Sequence, residues 1–126
     1  MELEDLTGKI IGAAICVHRK LGPGYLEAIY EEALCLELTL AGLAFERQSR
    51  VEIRYRDKII GEHRLDLLVE DRIVVELKAV LALQDIFYAT LRSYLRATGK
   101  PVGLLLNFSA IPLQAKRVGP NLPSLT

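Results

Sequence analysis

Residues 63–78 read HRLDLLVEDRIVVELK, and this stretch predicts a β-hairpin. Two apolar runs, 63–70 and 73–78, are separated by charged residues that suit a turn. A loop at 70–72 pairs apolar residues with one another across the hairpin: Leu65 with Leu77, Leu67 with Val75, and Val69 with Ile73. A two-residue turn would mix polar and apolar side chains on both faces, so the three-residue loop and its single apolar face are favoured.

The same register gathers three charged residues on the other face of the hairpin. Asp66 lies opposite Glu76, and Lys78 follows two residues later on the same side. Opposed carboxylates repel unless a positive charge lies between them. Mg²⁺ or Mn²⁺ would supply that charge, and Lys78 could then hold a substrate oxygen or the attacking water. The alternative is a buried cluster of ion pairs without a metal.

The rest of the chain predicts an α+β fold of the broad α/β type. Apolar periodicity with glycine and proline stops predicts helices at 5–21, 25–41 and 85–98, and strands at 51–55, 102–107 and within 111–118. The uniformly apolar run VGLLLN at 102–107 favours a strand covered on both faces and paired in parallel through a helical crossover. We therefore expect a mixed, mostly antiparallel sheet flanked by helices, in a single domain over 1–126.

Composition narrows the functional class. The chain has 16 basic and 16 acidic residues, a balance that counts against a binder of long nucleic acid but leaves room for a local basic face. A hydrophobic content of 51% leaves apolar surface for a partner, such as a second copy in a homodimer. No apolar run approaches the ~20 residues of a membrane-spanning helix. We expect a cytoplasmic protein with no membrane partner, in which Cys16 and Cys35 are free thiols.

Several blocks of the sequence together resemble one protein family. Residues 24–30, GYLEAIY, read G-x-x-E-x-x-Y, and Asp66 is followed by the E-x-K sequence at 76–78. With SYLRATGKPVGLLLNF at 93–108, the chain over about residues 5–118 resembles the bacterial GxxExxY proteins, which are similar to the PD-(D/E)XK nuclease superfamily. The resemblance implies a restriction-endonuclease-like α-β-β-β-α-β core with an extra N-terminal helix.

The resemblance also implies roles for the charged cluster. Asp66 and Glu76 would be catalytic metal ligands for Mg²⁺ or Mn²⁺, and the carbonyl oxygen of Leu77 would add a further ligand. Lys78 would be the catalytic lysine of a nuclease that hydrolyses DNA or RNA. The implied cofactor is therefore a divalent cation and the implied partner a nucleic acid.

Four further residues are candidates around that cluster. Glu27 would be a further catalytic acid, the alternative being an ordinary first-turn glutamate stabilised by the helix dipole. Tyr30 shares its helix face with Glu27 and would contact substrate, the alternative being core packing. Arg92 and Arg96, four residues apart on the third helix, would bind substrate phosphates.

Two residues depart from the family pattern. Members often carry a histidine and a glutamine on the helix after the E-x-K strand, where this chain has Phe87 and Thr90. Phenylalanine can neither ligate a metal nor form a hydrogen bond. The departure leaves an alternative function, a catalytically weak or inactive nuclease-fold module that binds nucleic acid or a protein partner.

Overall fold

A five-stranded mixed sheet forms the centre of the protein in the computed structural model, which describes residues 1–121. The strands, which are neighbours in chain order, are β1 (Phe45–Tyr55), β2 (Lys58–Val69), β3 (Ile73–Lys78), β4 (Val102–Asn107) and β5 (Gln114–Val118). All neighbouring strands are antiparallel except β3 and β4, which α3 (Asp85–Thr98) connects in parallel. The predicted mixed sheet and α-β-β-β-α-β order are confirmed.

Helices cover both faces of the sheet. The helices α1 (Leu3–Leu21) and α2 (Glu27–Leu40) pack on one face, and α3 packs on the other. We call the two apolar layers the α1/α2 core and the α3 core. Within the described residues, no helix combines the length and apolar character that crossing a membrane requires.

The β2–β3 hairpin has the register that its apolar pattern predicts. Val69 pairs with Ile73 and Leu67 with Val75, which leaves residues 70–72 as the loop. The N–H of Arg72 donates to the carbonyl of Val69 at 3.0 Å and closes that turn. Because these pairs confirm the register, Asp66 and Glu76 are the next residues along the two strands.

The β1–β2 hairpin is longer than predicted. Strands expected at 51–55 and 63–70 extend to Phe45–Tyr55 and Lys58–Val69, joined at Arg56 and Asp57. Both turn residues have positive φ, 48° and 64°, as a two-residue turn that follows the twist of the strands requires. Most of this hairpin is exposed on both faces, so its sequence lacks the apolar alternation that would have revealed its length.

The pleat of β2 inverts at Asp66, which corrects one part of the predicted hairpin. Leu67 packs in the α1/α2 core together with Leu77, but Leu65 packs in the α3 core. Residues two apart in a regular strand share a face, so Leu65 was expected beside Leu67. The predicted apolar face that joined Leu65 to Leu77 is therefore wrong, and Asp66 lies where β2 changes faces.

The pleat of β1 inverts at the same level, at Gln48. Phe45 packs against the α1/α2 core, whereas Val51 packs against the α3 core. Gln48 has φ 53°, in the left-handed region that non-glycine residues rarely adopt. It lies directly across from Asp66, between two regular pairs: Arg47 with Leu67, and Ser49 with Leu65. The two strands therefore change faces together, and this level of the sheet is where the candidate site forms.

Candidate active site

Asp66 and Glu76 are linked by two reciprocal hydrogen bonds where β2 and β3 meet. The backbone N–H of Asp66 donates to Glu76 Oε1 at 3.1 Å. The backbone N–H of Leu77 donates to Asp66 Oδ2 at 2.9 Å. Each carboxylate thus accepts a bond from the opposite strand, just beyond the last regular pair of the hairpin. The two acids are brought together as the register predicts.

Burial raises the pKa of both acids, and the charge of Asp66 adds to the effect at Glu76. Burial, followed by the charge of Asp66, raises the pKa of Glu76 to about 9. Burial is also the main cause that raises the pKa of Asp66, against the opposing effect of its hydrogen bond from Leu77. Lys78 favours the charged form of both groups but does not outweigh burial. The pair therefore favours a shared positive partner, either a proton or a cation.

The donor set at this pair fits a divalent cation. Two adjacent carboxylates with raised pKa gain most from a double positive charge between them, and hard oxygen ligands suit Mg²⁺ or Mn²⁺. No three His, Cys, Asp or Glu side chains converge into a full ligand set within residues 1–121. Mg²⁺ usually retains several water ligands and needs only one or two carboxylates, so Asp66 and Glu76 suffice as its protein anchor.

Lys78 lies on the α3 side of the sheet, two residues beyond Glu76. Its ammonium lies 4.5 Å from the centroid of the Phe87 ring, within the range of a cation–π contact. The residue that departs from the family pattern therefore packs directly on the predicted catalytic lysine. Phe87 can orient Lys78, but it cannot supply the imidazole that the resemblance to the GxxExxY proteins leads us to expect there.

Asn107 anchors the chain immediately after Lys78. Its fully buried amide accepts a bond from the N–H of Val80 at 3.1 Å and donates to the carbonyl of Val80 at 2.9 Å. The carbonyl of Lys78 itself accepts from the N–H of Phe108 at 2.9 Å. These bonds fix the end of β3, so the backbone that carries Lys78 is held on both sides.

A cleft of about 310 Å³ opens beside Asp66 on the opposite side of the sheet. It is lined by residues from α2 and from the three strands β1, β2 and β3: Glu27, Ala28, Glu31, Gln48, Asp66 and Leu77. Three of these six residues are acids. Glu27, an exposed residue at the start of α2, therefore lies with Asp66 in one cleft, while its catalytic role stays a prediction.

Glu31 is an acid of this cleft that the sequence reasoning missed. Its side chain is only 12% exposed, and both of its oxygens are held by β1. Arg47 donates to Oε2 at 2.9 Å, and Gln48 donates to Oε1 at 2.8 Å. Glu31 lies one helical turn after Glu27, so the same-face rule could have indicated it from the spacing alone.

Tyr30 belongs to the core, which contradicts its predicted contact with substrate. The side chain is fully buried and stacks on Phe108, with ring centroids 4.6 Å apart. Its hydroxyl donates to the carbonyl of Gly22 at 2.6 Å and accepts from the N–H of Tyr25 at 3.2 Å. Tyr30 therefore fixes the connection between α1 and α2, and it presents no surface to a ligand.

The two predicted arginines of α3 take different positions. Arg96 is exposed near the helix end and lines a second cleft, formed with the β1–β2 hairpin. Arg92 is half-buried and is not among the residues that line either that cleft or the acidic one. The structure thus separates the pair, and substrate binding by Arg92 remains a prediction without a cleft to support it.

Comparisons with known proteins agree with this geometry. The family model of the PD-(D/E)XK nuclease superfamily matches residues 4–118. The crystal structure of SSO0001 has a similar fold, with a TM-score of 0.61 and 20% identity over 76% of this chain. The chain spans 50% of the length of SSO0001. No curated protein matches the sequence. The resemblance to the GxxExxY proteins in particular stays a prediction.

Proposed function

This chain belongs to the PD-(D/E)XK nuclease superfamily, and we propose that it is a nuclease that hydrolyses phosphodiester bonds of DNA or RNA with Mg²⁺ or Mn²⁺. The observation that carries the proposal is the reciprocal bonding of Asp66 and Glu76 beside Lys78. A buried acid beside a half-buried one, both with raised pKa, is unfavourable in a purely structural role, because burial penalises the charge of each group. The same pair is well suited to anchor a divalent cation.

Each residue of the site has a role in this reaction. Asp66 and Glu76 would hold the cation, which when bound would stabilise charge on the phosphate and acidify the attacking water. Lys78, held against Phe87, donates a hydrogen bond to a phosphate oxygen or orients the water. Glu27 and Glu31 line the approach to Asp66 and accept hydrogen bonds from water there.

The test is a metal titration combined with a cleavage assay. Isothermal calorimetry with Mg²⁺ and Mn²⁺ should show binding to the wild-type protein and a loss of at least tenfold in affinity for Asp66→Asn. Labelled single- and double-stranded DNA and RNA should be cut only when one of these metals is present. Glu62→Gln, on an exposed position of β2, is the matched control and should behave as wild type.

Two results would decide against the proposal. The nuclease assignment fails if the folded wild-type protein leaves all four substrates intact with either metal and binds neither metal by calorimetry. Equal metal affinities for Asp66→Asn and Glu62→Gln would show that the cation binds elsewhere.

A second function, binding without cleavage, is favoured by one observation only. Phe87 occupies the position of the family histidine and contacts Lys78, so the chain could retain the metal and the nucleic acid while losing the chemistry. A protein that binds Mn²⁺ and oligonucleotides with micromolar affinity but cuts none of them would support this function. Cleavage that Lys78→Ala abolishes in a folded protein would exclude it.

We also propose that this protein is located in the bacterial cytoplasm. Cys16 and Cys35 are both free thiols, as expected in a reducing compartment. Fractionation of cells that express the full chain would test this, and recovery from a secreted or periplasmic fraction would contradict it.

A further inference from the structure

A row of apolar side chains runs along the outer face of α2. We call it the α2 stripe, and its members are Leu26, Ile29, Ala33, Leu36 and Leu40. Within the part of the chain that the structure describes, Leu26, Leu36 and Leu40 are 79%, 66% and 81% exposed, and Ile29 is 47% exposed. Single exposed apolar residues are normal on a monomer, but a contiguous row of them is typical of an interaction surface.

The spacing of the α2 stripe is that of a helix–helix seam. Its members follow one another by three, four, three and four residues, the alternation that places side chains on one side of a helix. The core side chains of α2 lie on a different side, where Tyr30, Leu34 and Leu38 are fully buried. The helix therefore has two apolar faces, whereas a helix at the surface of a monomer normally has one.

A groove between α1 and α2 continues the stripe at its C-terminal end. The volume of the groove is about 390 Å³, and its walls come from both helices: Lys9, Gly12, Ala13, Cys16, Glu37, Leu40 and Ala41. Leu26 lies at the other end of the stripe, about four helical turns before Leu40, so both side chains point to nearly the same side. One face thus carries a protruding end and a concave end. A second copy turned by 180° would match each protruding end to a concave one.

The charges beside the stripe indicate what kind of molecule covers it. Glu32 and Glu37 flank the stripe on its two sides, and α2 contains no basic residue. Acidic flanks repel both the anionic surface of a membrane and the phosphates of a nucleic acid. The stripe is therefore suited to another apolar protein surface, such as that of a second α2.

The same two acids decide how two copies of α2 can pack. In a parallel pair, Glu32 of one copy would lie beside Glu37 of the other, because flanking residues five positions apart meet across a parallel seam. Symmetry would repeat this contact between like charges on the second side. An antiparallel pair avoids it, and it also places opposite ends of the two helix dipoles side by side.

We propose that the α2 stripe is the interface of a homodimer, in which two copies of α2 pack antiparallel about a two-fold axis. Ile29 of each copy contacts Leu40 of the other, and Leu26 closes over the end of the groove. Glu27 and Glu31 lie on the side of α2 that faces the strands, so the acidic cleft beside Asp66 stays open in the dimer. The inference is independent of the proposed nuclease function.

Sedimentation velocity of the full chain, over a roughly hundredfold range of concentration, measures this dimer directly. The wild type should sediment with twice the 14.1 kDa mass of one chain and dissociate on dilution. Leu36→Glu combined with Leu40→Glu should raise the dissociation constant at least about tenfold, because each copy then brings two charges into the seam. Ile59→Glu combined with Ile60→Glu is the matched control, since these residues of β2 are 55% and 65% exposed. The control should dimerise as the wild type does.

A mixing experiment tests the antiparallel contact with single substitutions. Ile29→Lys and Leu40→Glu should each dimerise poorly alone, because each places a charge against an apolar side chain at both ends of the interface. An equimolar mixture should form a heterodimer. In that heterodimer the new lysine of one chain lies against the new glutamate of the other, and the second contact keeps its wild-type residues.

Circular dichroism on every variant confirms that the fold is kept, as expected for substitutions at exposed positions. The inference is overturned if the wild type stays monomeric at every concentration, which would leave the stripe to a different protein. It is also overturned if the Leu36 and Leu40 variant dimerises like the wild type, or if the Ile59 and Ile60 control loses as much affinity. A mixture of the two single variants that stays monomeric would overturn the antiparallel arrangement.

Discussion

The two sides of the acid pair differ in charge. On the α2 side, the cleft beside Asp66 is lined by Glu27 and Glu31 and contains no basic side chain. On the α3 side, Lys78 lies over the ring of Phe87, and Arg96 lies further along the helix. A nuclease has to hold a cation and a polyanion at one point. Under the proposed function, a chain with zero net charge would meet both requirements by gathering acids on one side of the acid pair and basic side chains on the other.

The pleat inversion at Gln48 and Asp66 is what joins the two sides. Without it, Asp66 would face the same side as Glu76, as directly opposed residues of a regular hairpin do. With it, the carboxylate of Asp66 reaches the α2-side cleft while its backbone N–H still bonds to Glu76. The side chain of Gln48 also donates a hydrogen bond to Glu31, so one left-handed residue positions two of the three acids of the cleft, Asp66 and Glu31.

The largest expected effect is on the cleavage rate of a variant that lacks Lys78, the basic residue on the α3 side of the acid pair. Lys78→Ala should lower the cleavage rate by about 10²–10⁴-fold, the usual contribution of a positioned proton-transfer or charge-stabilising group. Metal affinity by calorimetry should change less than threefold, because Lys78 is not a ligand. Lys116→Ala, on an exposed position of β5, is the control. A Lys78 variant that cuts at the wild-type rate would remove the lysine from the mechanism.

The next largest effect is expected on metal affinity, when Glu31 of the acidic cleft is replaced. Glu31→Gln should weaken Mn²⁺ binding about 10–100-fold, as removal of groups that surround metal ligands typically does. Glu32→Gln is a close control, since Glu32 also bonds to Arg47, at 2.8 Å, but its side chain is 65% exposed. Calorimetry on both variants measures the difference. If the two variants bind Mn²⁺ equally, Glu31 only anchors β1 and has no part in the acidic cleft.

A smaller effect on the cleavage rate is expected when Phe87 of α3, which contacts Lys78, is replaced. Phe87→His should raise the cleavage rate several-fold, because an imidazole can exchange protons near Lys78 whereas a phenyl ring cannot. Phe87→Leu keeps an apolar side chain but removes the ring, and it should not raise the rate. Initial rates on the best substrate are compared across pH 6–9. Equal rates for the histidine and leucine variants would show that the departure at this position is functionally neutral.

The smallest effect is on stability in the absence of metal. Glu76 has a pKa raised from an ordinary 4.5 to about 9, and the pKa of Asp66 is raised as well. The folded chain therefore holds protons that the unfolded chain loses, and the free energy of unfolding falls as pH rises from about 4.5 towards 9. With EDTA, the melting temperature should fall by about 5 °C more between pH 6 and pH 9 in the wild type than in Glu76→Gln.

Added Mn²⁺ should reverse this loss in the wild type and leave Glu76→Gln unchanged, because a bound cation favours the charged form of the acids. Parallel melting curves for the two proteins at both pH values would show that Glu76 titrates as an ordinary exposed glutamate.

The fold was largely predictable from local patterns, and the exceptions have physical reasons. The register of β2 and β3 followed from the apolar pairs Leu67–Val75 and Val69–Ile73, which repeat with the period of a strand. The predicted face of Leu65 was wrong because the pleat inversion depends on the left-handed backbone of Gln48. Glutamine carries no local signal for that conformation, unlike glycine or asparagine.

The site residues on the strands were predicted more accurately than those on α2. The register places Asp66 opposite Glu76, and strand alternation places Lys78 on the same side as Glu76. The inversion, which the sequence does not reveal, turns the carboxylate of Asp66 towards the α2-side cleft. A helix offers more directions, so Glu27 led to Tyr30, three residues on, although Glu31, four residues on, lines the cleft. Both spacings satisfy the same-face rule, and only the packing of Tyr30 on Phe108 distinguishes them.

The raised pKa of Glu76 also bears on the history of this chain. At neutral pH, without metal, Glu76 has to take up a proton when the chain folds, so a neutral residue of similar size at position 76 would make the fold more stable. Most substitutions that improve stability lie within reach of random mutation, and a chain released from its chemistry would be free to accumulate them. Under the proposed function, Glu76 is retained at this cost to stability because it would hold the cation.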